Sequence, residues 1–187
     1  TPWILGSYQT FHQAQGLKIK EDHIYLADGA AGLDVIDISN ISNPTLTGTF
    51  FNSIGYSDDV SIYNNNLCFS RKYPWPQVLF IDITIPSEPE LLHTIDFYDI
   101  LAYYDGLIPL DQNSEYVFVG TGDTLRIYDV SEFGNPLPIA EYAATGNIKD
   151  VIVENNLAYI STGENGIEII NLETINYPQL LGSYNSS

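Results

Sequence analysis

Short apolar runs rich in β-branched residues recur along the chain, each bounded by turn residues. Four of them end on Asp or Asn and are followed seven residues later by Pro: Leu33-Asp34-Val35-Ile36-Asp37 with Pro44, Val78-Leu79-Phe80-Ile81-Asp82 with Pro89, Leu125-Arg126-Ile127-Tyr128-Asp129 with Pro136, and Ile167-Glu168-Ile169-Ile170-Asn171 with Pro178. The four Asx residues stand 45, 47 and 42 positions apart. That period suits one propeller blade of four short strands. Helical repeats of similar length would need apolar spacing of three and four over about ten or more residues, and the runs here are too short and too often interrupted. A parallel β-helix has a shorter coil. The pattern predicts an all-β protein, a propeller of four-stranded antiparallel blades.

Each unit parses by its own punctuation. After the repeat Pro comes an outer strand such as Gln179 to Tyr184, then a connection, then an inner strand beginning near Gly16-Leu17, Asp59-Val60, Gly106-Leu107 or Asp150-Val151. Turns rich in Asn and acidic residues follow at Glu21-Asp22, Asn64-Asn65-Asn66, Asp111-Gln112-Asn113 and Asn155-Asn156, where Asn and Asp bond their own backbone and tolerate left-handed geometry. A second strand carries an aromatic residue at Tyr25, Phe69, Phe118 and Tyr159, and a Gly-containing hairpin in three of the units leads into the strand that ends at the repeat Asx. Runs such as Val78 to Ile81 are apolar on both faces, as expected where sheet stacks on sheet.

The units span about 9–50, 51–95, 96–142 and 143–184, with 1–8 an extra outer strand, because Pro2-Trp3-Ile4-Leu5-Gly6-Ser7-Tyr8 nearly repeats Pro178-Gln179-Leu180-Leu181-Gly182-Ser183-Tyr184. Simple ring closure does not require both copies. The expectation is either an open arc of a larger ring of six to eight blades or a four-bladed ring with a redundant strand. With no Met, not even at its start, the chain reads as a processed or excised piece of something longer.

Composition narrows the partners. The chain is 44% hydrophobic and 13% aromatic, ample for a core, and its net charge of −18 would repel a phosphate backbone. Nucleic acid is therefore an unsuitable partner. No apolar run approaches the length of a spanning helix, so no membrane insertion is expected, and Thr1 to Tyr8 lacks the basic and long apolar regions of a signal peptide. Cys68, the sole cysteine, cannot form an internal disulfide; it shares a repeat position with Ile24, Val117 and Ala158 and reads as a small buried filler, the alternative being a reactive thiol. High acidity with few Lys fits an extracellular or Ca²⁺-containing setting.

These residues resemble the LVIVD-repeat propellers, through Tyr25-Leu26-Ala27-Asp28, Gly32-Leu33, Val35-Ile36-Asp37-Ile38-Ser39 and Asn43-Pro44 in the first unit and Asp129-Val130-Ser131 with Asn135-Pro136 in the third. The resemblance runs through nearly the whole chain. The second unit departs from it, with Ser70-Arg71-Lys72-Tyr73-Pro74-Trp75-Pro76-Gln77 in place of the Gly hairpin, and the fourth has Asn171 and Tyr177 where Asp and Asn are usual. The resemblance implies a propeller fold and a place in a secreted or cell-surface protein. It implies no particular activity, because fold does not dictate function.

In a propeller, outer-to-inner connections and second-to-third-strand hairpins share one face around the channel mouth. That face is predicted to carry Phe11, His12, Phe50, Phe51, Tyr56, Phe97, Tyr98, Tyr103, Tyr104 and Tyr142, with Tyr73 and Trp75 on the irregular hairpin. Such aromatics either pack between blades or present rigid apolar area with a polar tip to a protein or carbohydrate. Pro74 and Pro76 keep Tyr73 and Trp75 out of a central strand. Arg71-Lys72 is either a solvated loop tip or a pair for a carboxylate or uronic acid. The candidate binding residues are thus Tyr56, Arg71, Lys72, Tyr73, Trp75, Tyr103 and Tyr104, and the open blade edges offer self-association as a second route.

Asp58-Asp59, Asp105 and Asp150 recur at inner-strand starts and, with Asp28 and Asp123, would offer oxygens to Ca²⁺, yet no Asp-x-Asp-x-Asp-Gly segment exists. No cofactor is expected beyond that open question. His12, His23 and His93 lack companions at ligand spacing; there is no Gly-x-Ser-x-Gly elbow and no phosphate loop. Tyr103-Tyr104-Asp105 does not make an acid–base cluster, since adjacent strand residues point to opposite sides. A non-catalytic protein is expected, the alternative being an enzyme with its site on the same loop face. Asn40-Ile41-Ser42 and Asn185-Ser186-Ser187 fit the glycosylation acceptor pattern.

Overall fold

The computed structural model describes residues 2–51, 55–72, 75–98 and 107–185. Among these, sixteen strands form four antiparallel sheets, each taken in chain order. Blade 1 holds β1 (Leu17–Lys20), β2 (His23–Ala27), β3 (Leu33–Asp37) and β4 (Thr45–Phe50); blade 2 holds β5 (Ser57–Tyr63), β6 (Asn66–Arg71), β7 (Gln77–Asp82) and β8 (Glu90–Asp96). Blade 3 holds β9 (Leu110–Gln112), β10 (Tyr116–Thr121), β11 (Thr124–Asp129) and β12 (Leu137–Ala143); blade 4 holds β13 (Asp150–Glu154), β14 (Leu157–Ser161), β15 (Ile167–Asn171) and β16 (Gln179–Tyr184).

The seven-residue Asx-to-Pro offset has a local cause. Each repeat Asx accepts a backbone N–H from two residues on: Asp37 from Ser39, Asp82 from Thr84, Asp129 from Ser131 and Asn171 from Glu173, at 2.7 to 2.9 Å. A second turn follows in every copy, with Asn43, Glu88, Asn135 and Tyr177 donating N–H to the carbonyls of Asn40, Ile85, Glu132 and Thr174. Two stacked turns consume a fixed length, and Pro then starts the outer strand where no ladder donor is needed. Each outer strand also carries a register shift against the third strand, at Val35/Ile36, Phe80/Ile81, Ile127/Tyr128 and Ile169/Ile170. Bulges of this kind increase the local twist.

Turns between first and second strands use left-handed residues at Glu21, Asn64, Asn155 and Asn156. The third unit differs from expectation. Asp111 and Gln112 belong to β9, and the turn is held instead by Asn113, whose side-chain oxygen accepts the N–H groups of Glu115 and Tyr116.

Three buried clusters lie between the four blades. Tyr25, Ala27, Leu33 and Val35 of blade 1 meet Val60, Leu67, Phe69, Leu79 and Ile81 of blade 2. Cys68, Val78 and Phe80 of blade 2 meet Leu110, Val117, Val119, Tyr128 and Phe133 of blade 3. Phe118, Leu125 and Ile127 then meet Val151, Ala158, Ile160 and Ile170 of blade 4. Strand β7 therefore serves both neighbours, which explains its continuous apolar run, and each fully buried side chain of this size contributes roughly 1.5–3 kcal/mol. Inner strand β5 packs on β1 and β9, and β13 on β9, but no comparable packing joins β13 to β1. The blades form a curved array with two end faces.

Residues 2–8 join no sheet. They lie along blade 1, with a Cβ at Gly6 placed 2.0 Å from the Ile41 carbonyl oxygen, so only glycine fits there. Gly48 of β4 relates to blade 2 in the same way, its Cβ falling 2.4 Å from the Pro86 carbonyl oxygen. The expected extra outer strand thus takes the place that a preceding blade would fill without being hydrogen-bonded into one.

Candidate functional site: the loop end and the blade junctions

Second-to-third-strand hairpins and outer-to-inner connections do meet at one end. Ser57 Oγ donates to the Gly29 carbonyl at 2.8 Å, Lys72 N–H to the Tyr56 carbonyl, and Asn165 to the Thr145 carbonyl at 2.6 Å. Buried Asp28 accepts the N–H groups of Phe11 and His12 on one carboxylate oxygen, at 3.0 and 2.9 Å, and so holds the connection entering blade 1. Tyr56 donates to Gln13 at 2.7 Å, and His12 meets its ring edge-on with centroids 5.3 Å apart. Tyr56 is half-buried and bridges the two blades.

The cationic pair is not a solvated loop tip. Arg71 ends β6 at 8% exposure and donates to Gln77, which in turn donates to Asp96. Burial lowers the Arg71 pKa from its ordinary value against the opposing pull of Asp96. Lys72 reaches the buried carboxylate of Asp58 at 3.2 Å. Trp75 is 45% exposed and stands edge-on to the exposed Tyr98, ring centroids 6.4 Å apart. Phe97, placed on the loop face by sequence, is buried beneath Arg126, whose guanidinium lies 5.4 Å from the ring centroid. Phe11 and Phe51 remain exposed on the same end. Tyr73, Tyr103, Tyr104 and Asp105 lie outside the described residues.

All four blades contribute to a cavity of about 220 Å³ at the inner-strand starts, lined by Gln15, Gly16, Asp58, Asp59, Leu107, Pro109, Lys149 and Asp150. Its acids are already engaged with backbone. Asp58 accepts the Ile108 N–H at 2.6 Å and Asp59 the Leu110 N–H at 3.1 Å, each tying blade 2 to the connection or inner strand of blade 3. Burial raises the Asp59 pKa despite those bonds and the nearby Lys18. Among the described residues no three His, Cys, Asp or Glu side chains converge as a metal set.

Sequence reading missed the polar contacts inside the junctions. Glu168, fully buried in β15, accepts the Tyr142 hydroxyl at 2.7 Å, the Thr145 N–H at 2.8 Å and the Thr145 hydroxyl, all from blade 3 or its exit. Burial opposes its ionisation, but the hydrogen bonds from Thr145 and Tyr142 outweigh it and lower its pKa. Asp34 is the same repeat position in blade 1, also buried, with one carboxylate oxygen lacking a hydrogen-bond partner among the described residues. Burial and then the Asp28 charge push it up to about 6. Tyr8, at the position that Tyr142 holds relative to Glu168, is raised by burial and by the charges of Asp34 and Asp28. The signal was present as an acid three residues before the repeat Asx and a Tyr twenty-six residues ahead of that acid.

By family, the LVIVD repeat matches residues 12–51 and 145–186, the first and fourth blades; blades 2 and 3 share the fold but fall outside those matches. No curated protein matches the chain by sequence. Among solved structures it is similar to the computationally designed Ika4 protein, at TM-score 0.67 and 12% identity over 91% of this chain and 99% of that one. It is also similar to a protein from Lactobacillus plantarum, at TM-score 0.78 and 13% identity over 93% of this chain and 56% of that one. BamB from Moraxella catarrhalis matches at TM-score 0.61 and 14% identity over 91% and 45%. The chain spans about half the length of these two natural relatives, and the likeness is one of propeller fold.

Proposed function

We propose that this chain, a member of the LVIVD-repeat family with a β-propeller fold, is a non-catalytic interaction module of a secreted or cell-surface protein. Its loop end binds a protein or carbohydrate partner. The observation that supports this most directly is the exposed aromatic set Phe11, Phe51, Trp75 and Tyr98, held on a base whose polar groups are already engaged with one another. Rigid aromatic surface on a fixed scaffold suits recognition at low entropic cost. Arg71 and Lys72 serve this reading as anchors of the base rather than as direct contacts, since their charges meet Gln77 and Asp58.

Arrays of glycans and of surface-protein ectodomains, probed with the chain and with a Trp75→Ala, Phe51→Ala double variant, test the assignment. Ligands of the parent chain should lose at least about tenfold in affinity. Unchanged affinity for every ligand, with the variant still folded, would remove the loop end from consideration.

A further inference from the structure

The far face of blade 4 carries one half of a blade junction. In blade 1 the cross-strand row Tyr25, Val35 and Gly48 is buried against blade 2, with Tyr25 1% exposed. Its counterpart in blade 4 is the row Ile152, Tyr159, Ile169 and Gly182. There Tyr159 is 37% and Ile152 56% exposed. Gly48 presses on the next blade's Pro86 carbonyl, whereas a Cβ at Gly182 meets nothing within 4 Å. Tyr142 reaches an acid of the next blade, whereas Tyr184 at the equivalent position is 68% exposed.

The complementary half lies at the other end of the chain. Blade 1 presents the Ile41 carbonyl and the buried Asp34 carboxyl, and residues 2–8 occupy that seat through Gly6 and Tyr8. The occupant and β16 with its preceding Pro178 are identical at five of seven positions, Pro, Leu, Gly, Ser and Tyr. The inner strand of blade 1 leaves Leu17 and Ile19 exposed on the same face as Asp34, an apolar match for the exposed Ile152 of β13. Segment 2–8 brings only itself to the seat, because it belongs to no sheet, while β16 would bring the whole apolar row of its blade.

We propose that blade 4 of one copy docks on blade 1 of a second copy, Gly182 and Tyr184 replacing Gly6 and Tyr8 against Ile41 and Asp34. Residues 2–8 are then an internal occupant that leaves when copies join. Two such junctions close a ring if the rotation permits, and otherwise build an open filament. The inference rests on the blade junctions and stands apart from the loop-end reading.

Light scattering on the full chain from micromolar to millimolar concentration tests it. The parent chain should gain mass with concentration. Gly6→Val, which cannot keep its segment seated, should associate at a concentration at least about tenfold lower, one decade being about 1.4 kcal/mol; Tyr8→Ala is the gentler variant should Gly6→Val fold poorly. Gly182→Trp should remain monomeric with an unchanged urea midpoint, because its side chain enters open space in a single copy. A parent chain and seat variants that all stay at 20.8 kDa, or a Gly182→Trp chain that associates like the parent, would overturn the proposal.

Discussion

The Tyr142 hydroxyl donates to Glu168 across the junction between blades 3 and 4, and the two residues are separated by an entire outer-strand connection and two strands of the next blade. The bond is charge-assisted and partly buried, so it is stronger than a neutral pair in water. Tyr142→Phe removes one of three donors to that carboxylate and should cost about 1–2 kcal/mol by urea unfolding. Glu168→Leu removes the charge along with its partners' acceptor and should cost more, because the Thr145 N–H is left without its acceptor. Since the Glu168 pKa is lowered in the fold, its contribution is present above the unfolded carboxylate range and fades as pH falls through the folded value. The Tyr142→Phe deficit should therefore narrow in acid.

Asp34 behaves with the opposite sign. Its carboxyl titrates near 3.8 when free and about 6 in the fold, through burial and then the Asp28 charge. Below 3.8 it is neutral in both states and the fold retains its full benefit; between 3.8 and 6 the unfolded chain releases its proton first, and stability falls to a plateau above 6. Asp34→Asn abolishes that loss. Its unfolding free energy in urea should exceed the parent's at pH 8 by an amount on the order of 2 kcal/mol, with a higher midpoint, and the difference should shrink towards pH 4. Equal midpoints at pH 8 would show that Asp34 is solvated in the native state.

Gly48 and Gly182 hold one repeat position in two environments. An alanine at Gly48 must push its Cβ through the Pro86 carbonyl oxygen, a backbone atom of the neighbouring blade. Displacing that turn also disturbs the Asp82–Thr84 turn just before it. Gly48→Ala should destabilise by about 2 kcal/mol or more, while Gly182→Ala at micromolar concentration should be neutral within about 0.5 kcal/mol. Paired thermal melts decide the matter, and equal losses at both positions would mean that the glycine is required by the strand itself.

Much of the fold was legible because each blade repeats its own turn chemistry. Asp37, Asp82, Asp129 and Asn171 cap equivalent turns, and Val78 to Ile81 is apolar on both faces because two blades need it. The third inner strand was misjudged at Asp111, which looks like a turn residue but accepts the Ser61 hydroxyl and the Val153 N–H from the blades on either side. Local propensity does not register a partner 42 or 50 residues away. Arg71 deceived for the same reason: a charge beside a Pro-rich hairpin suggests solvent, and only the fold reveals Gln77 and Asp96 beside it. Phe97 and Trp75 show the limit for the loop end, since both read as loop aromatics and only one is exposed.

Cys68 gives a direct view of how firmly two blades hold together. Its thiol is fully buried between blades 2 and 3, 3.6 Å from the Gln112 side-chain oxygen, and burial raises its pKa well above the ordinary value. A thiolate is the species that attacks a disulfide reagent, so the native thiol is doubly protected, by access and by protonation. Labelling at pH 8 must then proceed through opening of the junction, and its rate should rise with urea as the open population grows. Phe80 packs against Phe133 across the same junction with ring centroids 5.1 Å apart. Phe80→Ala leaves a cavity there and should cost about 3 kcal/mol. That loss converts to roughly a hundredfold faster labelling if opening precedes reaction in rapid equilibrium. A parent thiol that reacts as fast as a small free thiol, or a Phe80→Ala rate that does not change, would show that the reagent reaches Cys68 without separating the blades.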